Sequence, residues 1–183
     1  MNPSLLTSPK GPLMVPTAMP AADETDLSTF PLAFSLIIPT YNESGNAAKI
    51  VGQLTQLLDS FIPGNYELIL VDDDSPDLTW KVAQSLLPIY PQLRVMRRQD
   101  ERGLASAVIR GWQAAQGKCL GVIDADLQHP PAVLTKMLKK VLDGADLAVA
   151  SRYVEGGGIS DWNIVRRFLS RGAQVLGLTM CPA

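Results

Sequence analysis

The chain has 183 residues, 46% of them hydrophobic, which is enough for one domain with a buried core. Its 16 basic and 18 acidic residues leave a formal net charge of −2, so no overall positive field attracts nucleic acid. Two distant cysteines and one histidine argue against a zinc site, and no run of 18 apolar residues predicts a membrane-spanning helix.

The first 33 residues are rich in proline and in small polar residues. Such a composition buries too little apolar surface to offset the entropy of ordering, so we predict a disordered leader over residues 1–33. The segment lacks the charged and apolar regions of a secretory signal, and we therefore expect a cytoplasmic protein. Residues 34–183 are predicted to form one folded domain.

From residue 34 onward, apolar runs alternate with segments of helical periodicity. Five runs predict buried strands: FSLII (34–38), ELILV (67–71), LRVM (93–96), CLGVI (119–123) and LAVA (147–150). Apolar residues at helical spacing predict helices within 47–61, 80–87, 104–111 and 134–141. This alternation predicts a Rossmann-like, mostly parallel α/β sheet with helices on both faces, whose ligands bind beyond the carboxyl ends of the strands.

A polar motif follows each predicted strand: PTYNE (39–43), DDDSPD (72–77), ERGLA (101–105), DADLQHPP (124–131) and SRYVEGGG (151–158). The first is neither a dinucleotide fingerprint nor a P-loop, so ligand phosphates need a metal or arginine. Asp124 and Asp126 flank Ala125 after a strand, and an extended backbone would point both carboxylates into the crevice. This pair is predicted to bind Mg²⁺ or Mn²⁺, the alternative being solvated loop acids.

The remaining acidic, histidine and tryptophan candidates can also be explained by structural roles. Within residues 72–74, at least one aspartate is predicted to cap a turn, which leaves the others free to accept hydrogen bonds from a base or ribose. His129 precedes two prolines and either lines the site or serves the turn, and we do not expect a general base there. Trp80 and Trp112 lie on helix stripes and are predicted to be core residues rather than stacking platforms.

The five motifs, in this order over residues 35 to about 175, resemble those of the family-two glycosyltransferases. Within that family they resemble the dolichol-phosphate mannosyltransferase branch and its polyprenyl-phosphate relatives. The resemblance implies a GT-A fold with nucleotide-sugar contacts at Pro39, Tyr41, Glu43, Asp73, Asp124, Asp126 and Gln128. It also implies metal ligands at Asp124, Asp126 and Gln128, an acceptor-phosphate site at Arg152, Arg166 and Ser170, and catalytic roles for Asp126 and Arg152.

The activity implied by the resemblance is transfer of a hexose from a donor of the GDP-mannose or UDP-glucose type to a polyprenyl or dolichyl phosphate, with inversion and with a divalent metal. A lipid phosphate is already a nucleophile at neutral pH, so a site with one histidine suffices. Three alternatives remain: a family-two transferase acting on a non-lipid acceptor, an inactive nucleotide-sugar-binding remnant, and, suggested by LVDDDS, a receiver-like phosphoacceptor domain.

Residues 161–178 predict a basic amphipathic helix that either packs on the sheet or lies on an anionic membrane surface. The three glycines at 156–158 serve as a hinge or as a plain connector. The family's catalytic domain usually continues further, often into membrane helices. We therefore expect the catalytic domain at 34–183 to be incomplete at its C-terminus. We also expect it to act at the cytoplasmic face of a membrane, peripherally or through a later segment.

Overall fold

The computed structural model describes residues 4–16, 31–128 and 131–151. These ranges contain five strands and four helices. Their bounds are β1 (Leu5–Leu6), β2 (Leu32–Thr40), α1 (Ser44–Phe61), β3 (Tyr66–Asp72), α2 (Thr79–Leu86), β4 (Leu93–Arg97), α3 (Leu104–Gln113), β5 (Gly117–Val122) and α4 (Pro131–Leu142). The described residues up to Ala148 belong to one compact unit, and residues 149–151 belong to a second.

The five strands form one sheet in the order β1-β4-β3-β2-β5, and every pairing between them is parallel. β2 lies between β3 and β5, with Phe34 opposite Tyr66 on one side and opposite Cys119 on the other. Parallel strands that follow one another in the chain need a crossover, and helices supply it from β2 to β3, from β3 to β4, and from β4 to β5 on the far side of β2. The predicted α/β architecture is confirmed.

Alternate side chains of the strands face two hydrophobic cores. Leu36 and Ile38 of β2 point to the larger core, which also contains buried residues of α1, α2 and α4. Ile37 points to the smaller core, where Ala107 of α3 packs. Because both faces of β2 and β3 are covered, their sequences are apolar at nearly every position, which is why these strands were predictable.

Four of the five predicted strands and all four predicted helices within the described ranges are confirmed. The prediction of a strand over LAVA (147–150) is wrong: these residues have no regular secondary structure. Leu147 is 78% exposed and Val149 is 73% exposed, so in the described part of the chain their hydrophobic side chains have no strand or core to pack against.

The prediction of a disordered leader is wrong for residues 4–16. Leu5 and Leu6 form β1, opposite Val95 and Met96 at the edge of β4. A strand of two residues shows no periodicity in a proline-rich sequence, and main-chain hydrogen bonding to an existing edge is what orders it. Residues 17–30 lie outside the described ranges, and β2 begins two residues earlier than the predicted apolar run.

Among the described helices, none is both long enough and apolar enough to cross a membrane.

Candidate functional site

Four loops follow the strands β2 to β5 at the carboxyl edge of the sheet. They comprise residues 41–43, 73–78, 98–103 and 123–128. All non-glycine residues with positive φ in the described ranges lie in three of these loops: Asn42 (60°), Asp74 (54°), Leu78 (63°) and Leu127 (58°). Such conformations are costly for side-chain-bearing residues and concentrate at functional sites, so they mark this edge as the candidate site.

Hydrogen bonds connect the loop after β2 to the loop after β3 and to the first residue of α2. Three consecutive amides donate to side-chain oxygens: Asn42 to Ser75 (3.0 Å), Glu43 to Thr79 (2.9 Å) and Ser44 to Asp77 (3.0 Å). The first amides of a helix lack partners within the helix, and here another loop supplies an acceptor for Ser44, the first residue of α1. The PTYNE and DDDSPD motifs therefore form one connected structure.

Asp77 joins the beginnings of two helices. Its Oδ1 accepts hydrogen bonds from the amide (3.0 Å) and hydroxyl (2.6 Å) of Thr79 at the start of α2. Burial alone would raise the pKa of Asp77, but the hydrogen bonds from Thr79 and Ser44 together outweigh it and lower the pKa. The carboxylate is therefore held ionised as a fixed structural acceptor.

Asp72 holds the turn after β3, as predicted for one of the three aspartates. Its buried carboxylate accepts from the Thr40 hydroxyl (2.9 Å), the Ser75 amide (2.9 Å) and the Ser75 hydroxyl (2.6 Å). Ser75 lies in the loop after β3 and Thr40 is the last residue of β2, so Asp72 connects these two elements and is a structural residue.

The interpretation that the other two aspartates are free is wrong, because Arg97 at the end of β4 and Arg98 just after it pair with them. Arg98 donates through Nε to Asp73 at 2.7 Å, and the Gly103 amide donates to the second oxygen of Asp73, also at 2.7 Å. Arg97 lies 2.6 Å from Asp74, and its guanidinium stacks 3.8 Å from the centre of the Trp80 ring. The contact of Asp73 with a nucleobase stays a prediction.

The two tryptophans on helix stripes are each half-buried. Trp112 packs against the smaller core and donates its indole N–H to the Gly121 carbonyl at 3.4 Å. Trp80 combines partial burial with the cation–π contact from Arg97, a partner that its helical spacing alone did not reveal.

The loop after β4 contains an ion-pair network that the sequence analysis missed. Arg110, 3% exposed, donates to both carboxylate oxygens of Glu101 at 2.6 and 3.0 Å. The hydrogen bond from Arg110 is the main reason that the pKa of Glu101 is lowered. Arg98 is also buried and reaches Glu101 at 3.4 Å. One signal could have revealed the network: Arg110 lies among the apolar positions of α3.

Tyr41, in the loop after β2, and Arg102, in the loop after β4, lie side by side at the carboxyl edge of the sheet. The Arg102 guanidinium is 5.7 Å from the Tyr41 ring centre, and Tyr41 is 48% exposed. Among the described arginines, Arg102 is the one without a carboxylate within ion-pair distance. An exposed ring beside such a cation can contact the flat face of a base and a phosphate. Tyr41 was predicted as a site residue, and Arg102 was not.

Pro39 and Glu43 have more buried positions than Tyr41. Pro39 is buried in β2 opposite Val71. The Ile37 carbonyl accepts from Ile123, so by strand alternation the ring nitrogen of Pro39 faces the side where β5 has already ended, and no ladder hydrogen bond is lost. Glu43 directly precedes α1 and accepts from the Asn46 side chain at 2.7 Å. Their nucleotide contacts stay predictions.

The DADLQ segment is a turn rather than an extended strand, because β5 ends at Val122. Ala125 is buried in the larger core, whereas Asp124 is exposed and Asp126 half-buried. The prediction that an extended backbone carries both carboxylates is therefore wrong, and their joint placement in the crevice stays a prediction. The backbone amide of Gln128 donates to the Asp126 carboxylate at 2.9 Å. Leu127, between them, has a positive φ of 58°.

The donor atoms in this turn fit a hard cation, because carboxylate and amide oxygens are ligands that Mg²⁺ and Mn²⁺ accept. Within the described ranges no three His, Cys, Asp or Glu side chains form a metal-binding group. A cation at Asp124 and Asp126 would therefore draw further oxygens from Gln128, water or a ligand phosphate. These ligand roles stay predictions.

Several predicted features lie outside the described ranges. They are His129, the acceptor-phosphate residues Arg152, Arg166 and Ser170, the glycines at 156–158, and the helix over 161–178.

Known proteins resemble this chain in sequence over most of its length. Two curated relatives are both named dolichol-phosphate mannosyltransferase. The one from Pyrococcus furiosus is 46% identical over 148 residues, covering 81% of this chain and 41% of the relative. The one from Saccharomyces cerevisiae is 35% identical over 146 residues, covering 79% and 54%. The chain thus spans about half the length of these relatives.

The fold also matches solved structures. A mannosyltransferase from Pyrobaculum calidifontis, in complex with GDP-Man and Mn²⁺, superposes with a TM-score of 0.53 at 24% identity, over 63% of this chain and 34% of that one. The sheet described above is therefore of the GT-A type. The profile described as Glycosyl transferase family 2 matches residues 35–180. From the family match and the order of its edge loops, this chain belongs to glycosyl transferase family 2.

Proposed function

We propose that the chain is the donor-binding and catalytic part of an enzyme that transfers a hexose from a nucleotide sugar to a polyprenyl or dolichyl phosphate. The observation that carries the proposal is the turn after β5. There Asp124 is exposed and Asp126 is half-buried, in a loop at the same sheet edge as Tyr41 and Arg102. The names of the relatives favour mannose as the hexose and dolichyl phosphate as the acceptor, and the solved structure with GDP-Man favours GDP-mannose over UDP-glucose as the donor.

On the donor side, Tyr41 offers a ring face to the base, and Arg102 offers a positive charge to the diphosphate. Pro39 at the end of β2, Glu43 in the loop after it and Asp73 in the loop after β3 shape the base and ribose pocket. Held by Asp124, Asp126 and Gln128, a Mg²⁺ or Mn²⁺ ion would supply Lewis-acid stabilisation of the departing diphosphate. No P-loop is present, so this charge compensation depends on oxygen ligands and arginines.

On the acceptor side, Arg152, Arg166 and Ser170 hold the lipid phosphate. Its oxygen attacks the anomeric carbon while the bond from that carbon to the diphosphate oxygen breaks. A single displacement of this kind inverts the anomeric centre. The lipid phosphate is an anion at neutral pH, so no side chain has to remove a proton, and the protein contributes positioning and charge stabilisation.

The membrane surface is the proposed location of the acceptor. Arg166, Arg167 and Arg171 lie on the polar side of the predicted 161–178 helix, where they can contact anionic headgroups at the cytoplasmic face.

Metal-dependent donor binding tests the donor site. We expect GDP to bind the 183-residue chain in excess Mn²⁺ and to bind much more weakly in EDTA, as measured by isothermal titration calorimetry. Asp126→Asn should weaken binding at least about 10-fold, because a ligand carboxylate loses its charge. The control Asp143→Asn neutralises an exposed carboxylate just after α4 and should leave binding unchanged.

Equal affinity with and without EDTA, or in Asp126→Asn, would rule out this metal site. Failure of both GDP and UDP to bind would rule out the donor site as a whole. A radiolabelled transfer assay then distinguishes the acceptors: label entering polyprenyl phosphate supports the proposal, and label entering only a free sugar contradicts it. Binding without transfer to either would identify an inactive remnant.

A further inference from the structure

Residues 4–16 form a strap that lies against the folded unit, and we name this segment the N-terminal strap. Its first part is β1, which extends the sheet beyond β4, and the Val95 amide donates to the Ser4 carbonyl at 2.8 Å. Leu6 packs against the smaller core, which includes Ala107 of α3. The strap is therefore anchored by both main-chain hydrogen bonds and hydrophobic packing.

The second part of the strap is held by two side chains of α3. The Gly11 carbonyl accepts from Arg110 at 2.8 Å. The Pro12 and Met14 carbonyls accept from the Gln113 side chain at 3.2 and 3.0 Å. Arg110 also donates to the oxygen of the Gln113 amide at 2.9 Å, which orients the amide nitrogen toward the strap. Arg110 thus organises the attachment of this second part of the strap.

The same guanidinium is the start of a hydrogen-bonded path to the candidate donor site. Arg110 donates in a two-pronged fork to Glu101, which also receives a hydrogen bond from Arg98, and Arg98 in turn donates to Asp73. The loop that these contacts hold, residues 98–103, also contains Arg102, which faces Tyr41. An unbroken series of charged groups therefore links the strap to the site.

We propose that Arg110 is a positioning residue that makes the affinity for a nucleoside diphosphate depend on the N-terminal strap. This inference rests on the donor site proposed above. Arg110 is 3% exposed, so losing the Gly11 carbonyl would leave a buried guanidinium donor without its acceptor, which is costly. The guanidinium then reorients toward water, its fork to Glu101 loosens, and the 98–103 loop no longer holds Arg102 and Asp73 in place.

Gly11→Ala tests this path without deleting any chemical group that contacts the site. Gly11 has φ 109° and nothing within 4 Å of an added Cβ, so the substitution acts by making this backbone conformation unfavourable and displacing the carbonyl. We expect GDP in excess Mn²⁺ to bind about 3- to 10-fold more weakly, and amides of residues 98–103 to exchange hydrogen faster in the unliganded chain. If GDP does not bind the parent chain, UDP takes its place.

The matched control is Gly144→Ala. Gly144 has φ 105° and likewise nothing within 4 Å of an added Cβ, but it lies at the end of α4, away from the strap and the 98–103 loop. It should lose similar thermal stability while nucleotide affinity and exchange at 98–103 stay unchanged. A general loss of stability would affect both variants equally, so the difference between them isolates the path.

Arg110→Lys provides a second, independent variant, because lysine keeps the charge but cannot form the fork. It should weaken nucleotide binding at least as much as Gly11→Ala, and adding Gly11→Ala should cause little further loss, because both act through one group. Unchanged affinity, unchanged exchange at 98–103, or fully additive effects would each overturn the inference. If the parent chain binds neither GDP nor UDP, the proposed function fails and this inference with it, a result visible before any substitution.

Discussion

Gly103 is the residue at which the loop after β4 turns into α3. Its φ is 120°, a conformation that an L side chain rarely adopts, and its amide donates to Asp73 at 2.7 Å. We expect Gly103→Ala to lower the free energy of unfolding by about 1–3 kcal/mol, because alanine strains this backbone. An added Cβ would meet only Ser106 Oγ, at 3.7 Å, so a steric clash is not the cause. Urea unfolding measures the loss.

Gly45→Ala is the control for this substitution. Gly45 lies in α1, without positive φ and with nothing within 4 Å of an added Cβ, so alanine should stabilise the helix by up to about 1 kcal/mol. The two substitutions should therefore have opposite signs. A neutral or stabilising Gly103→Ala would show that the loop does not depend on this conformation.

At this scale the sequence predicted the acids of the site but not their partners. Asp72 was predictable as a turn residue because Ser75, which donates to its carboxylate from both the amide and the hydroxyl, is only three residues away. The pairing of Asp73 with Arg98 spans 25 residues and depends on how β3 and β4 align, which no local pattern specifies. The prediction that some of these acids remain free failed for that reason.

Strands and helices were predictable wherever burial imposes a pattern. β2 and β3 are covered on both faces, so their apolar runs are unmistakable, and the helices show one apolar stripe each. LAVA has the composition of a strand, but its exposed side chains show that composition without a neighbouring strand is not sufficient. β1 was not predicted, because two residues show no pattern of their own. They form a strand only by pairing with the edge of β4.

Gly117, at the start of β5, lies close against the backbone of β2. A Cβ at this position would come within 2.5 Å of the Ser35 nitrogen and 2.6 Å of the Phe34 carbonyl carbon. These are backbone atoms that cannot rotate away, so we expect Gly117→Ala to separate the strands and cost about 1–3 kcal/mol or more. Thermal unfolding monitored by circular dichroism measures the effect.

Gly64→Ala is the matched control. Gly64 has φ 69° and nothing within 4 Å of an added Cβ, so alanine adds only local backbone strain in the turn before β3. It should lower the melting temperature less than Gly117→Ala. If the two variants have the same melting temperature, the approach of β2 does not require glycine at position 117.

For the whole molecule, the ionised carboxylates of the edge predict acid sensitivity. The pKa values of Glu101 and Asp77 are lowered in the folded state, so the unfolded state binds more protons as the pH falls below the ordinary values of about 4.3 and 3.9. Stability from these groups is therefore full above about pH 5 and is lost as the pH falls through the folded-state pKa values. Urea unfolding at pH 7, 5 and 3.5 should show the decline.

Glu101→Gln separates the contribution of one group. It should destabilise the protein most at pH 7, where the parent carboxylate is charged, and the difference from the parent should shrink toward pH 3.5. Asp143→Asn, at an exposed carboxylate, serves as the comparison and should leave the pH dependence nearly unchanged. A difference for Glu101→Gln that stayed constant with pH would mean that its charge does not contribute to stability.

The central position of β2 also affects how the chain folds during synthesis. β2 contacts β3 across 32 residues, but the amide of Gly117 reaches Ser35 across 82 residues. At about 5–20 residues per second, a ribosome needs several seconds to make that intervening segment, which contains α1, β3, α2, β4 and α3. Throughout this interval one edge of this buried, hydrophobic strand has no partner from its own chain. The nascent protein is then most exposed to strand-to-strand aggregation, and chaperones that shield hydrophobic segments would act in this interval.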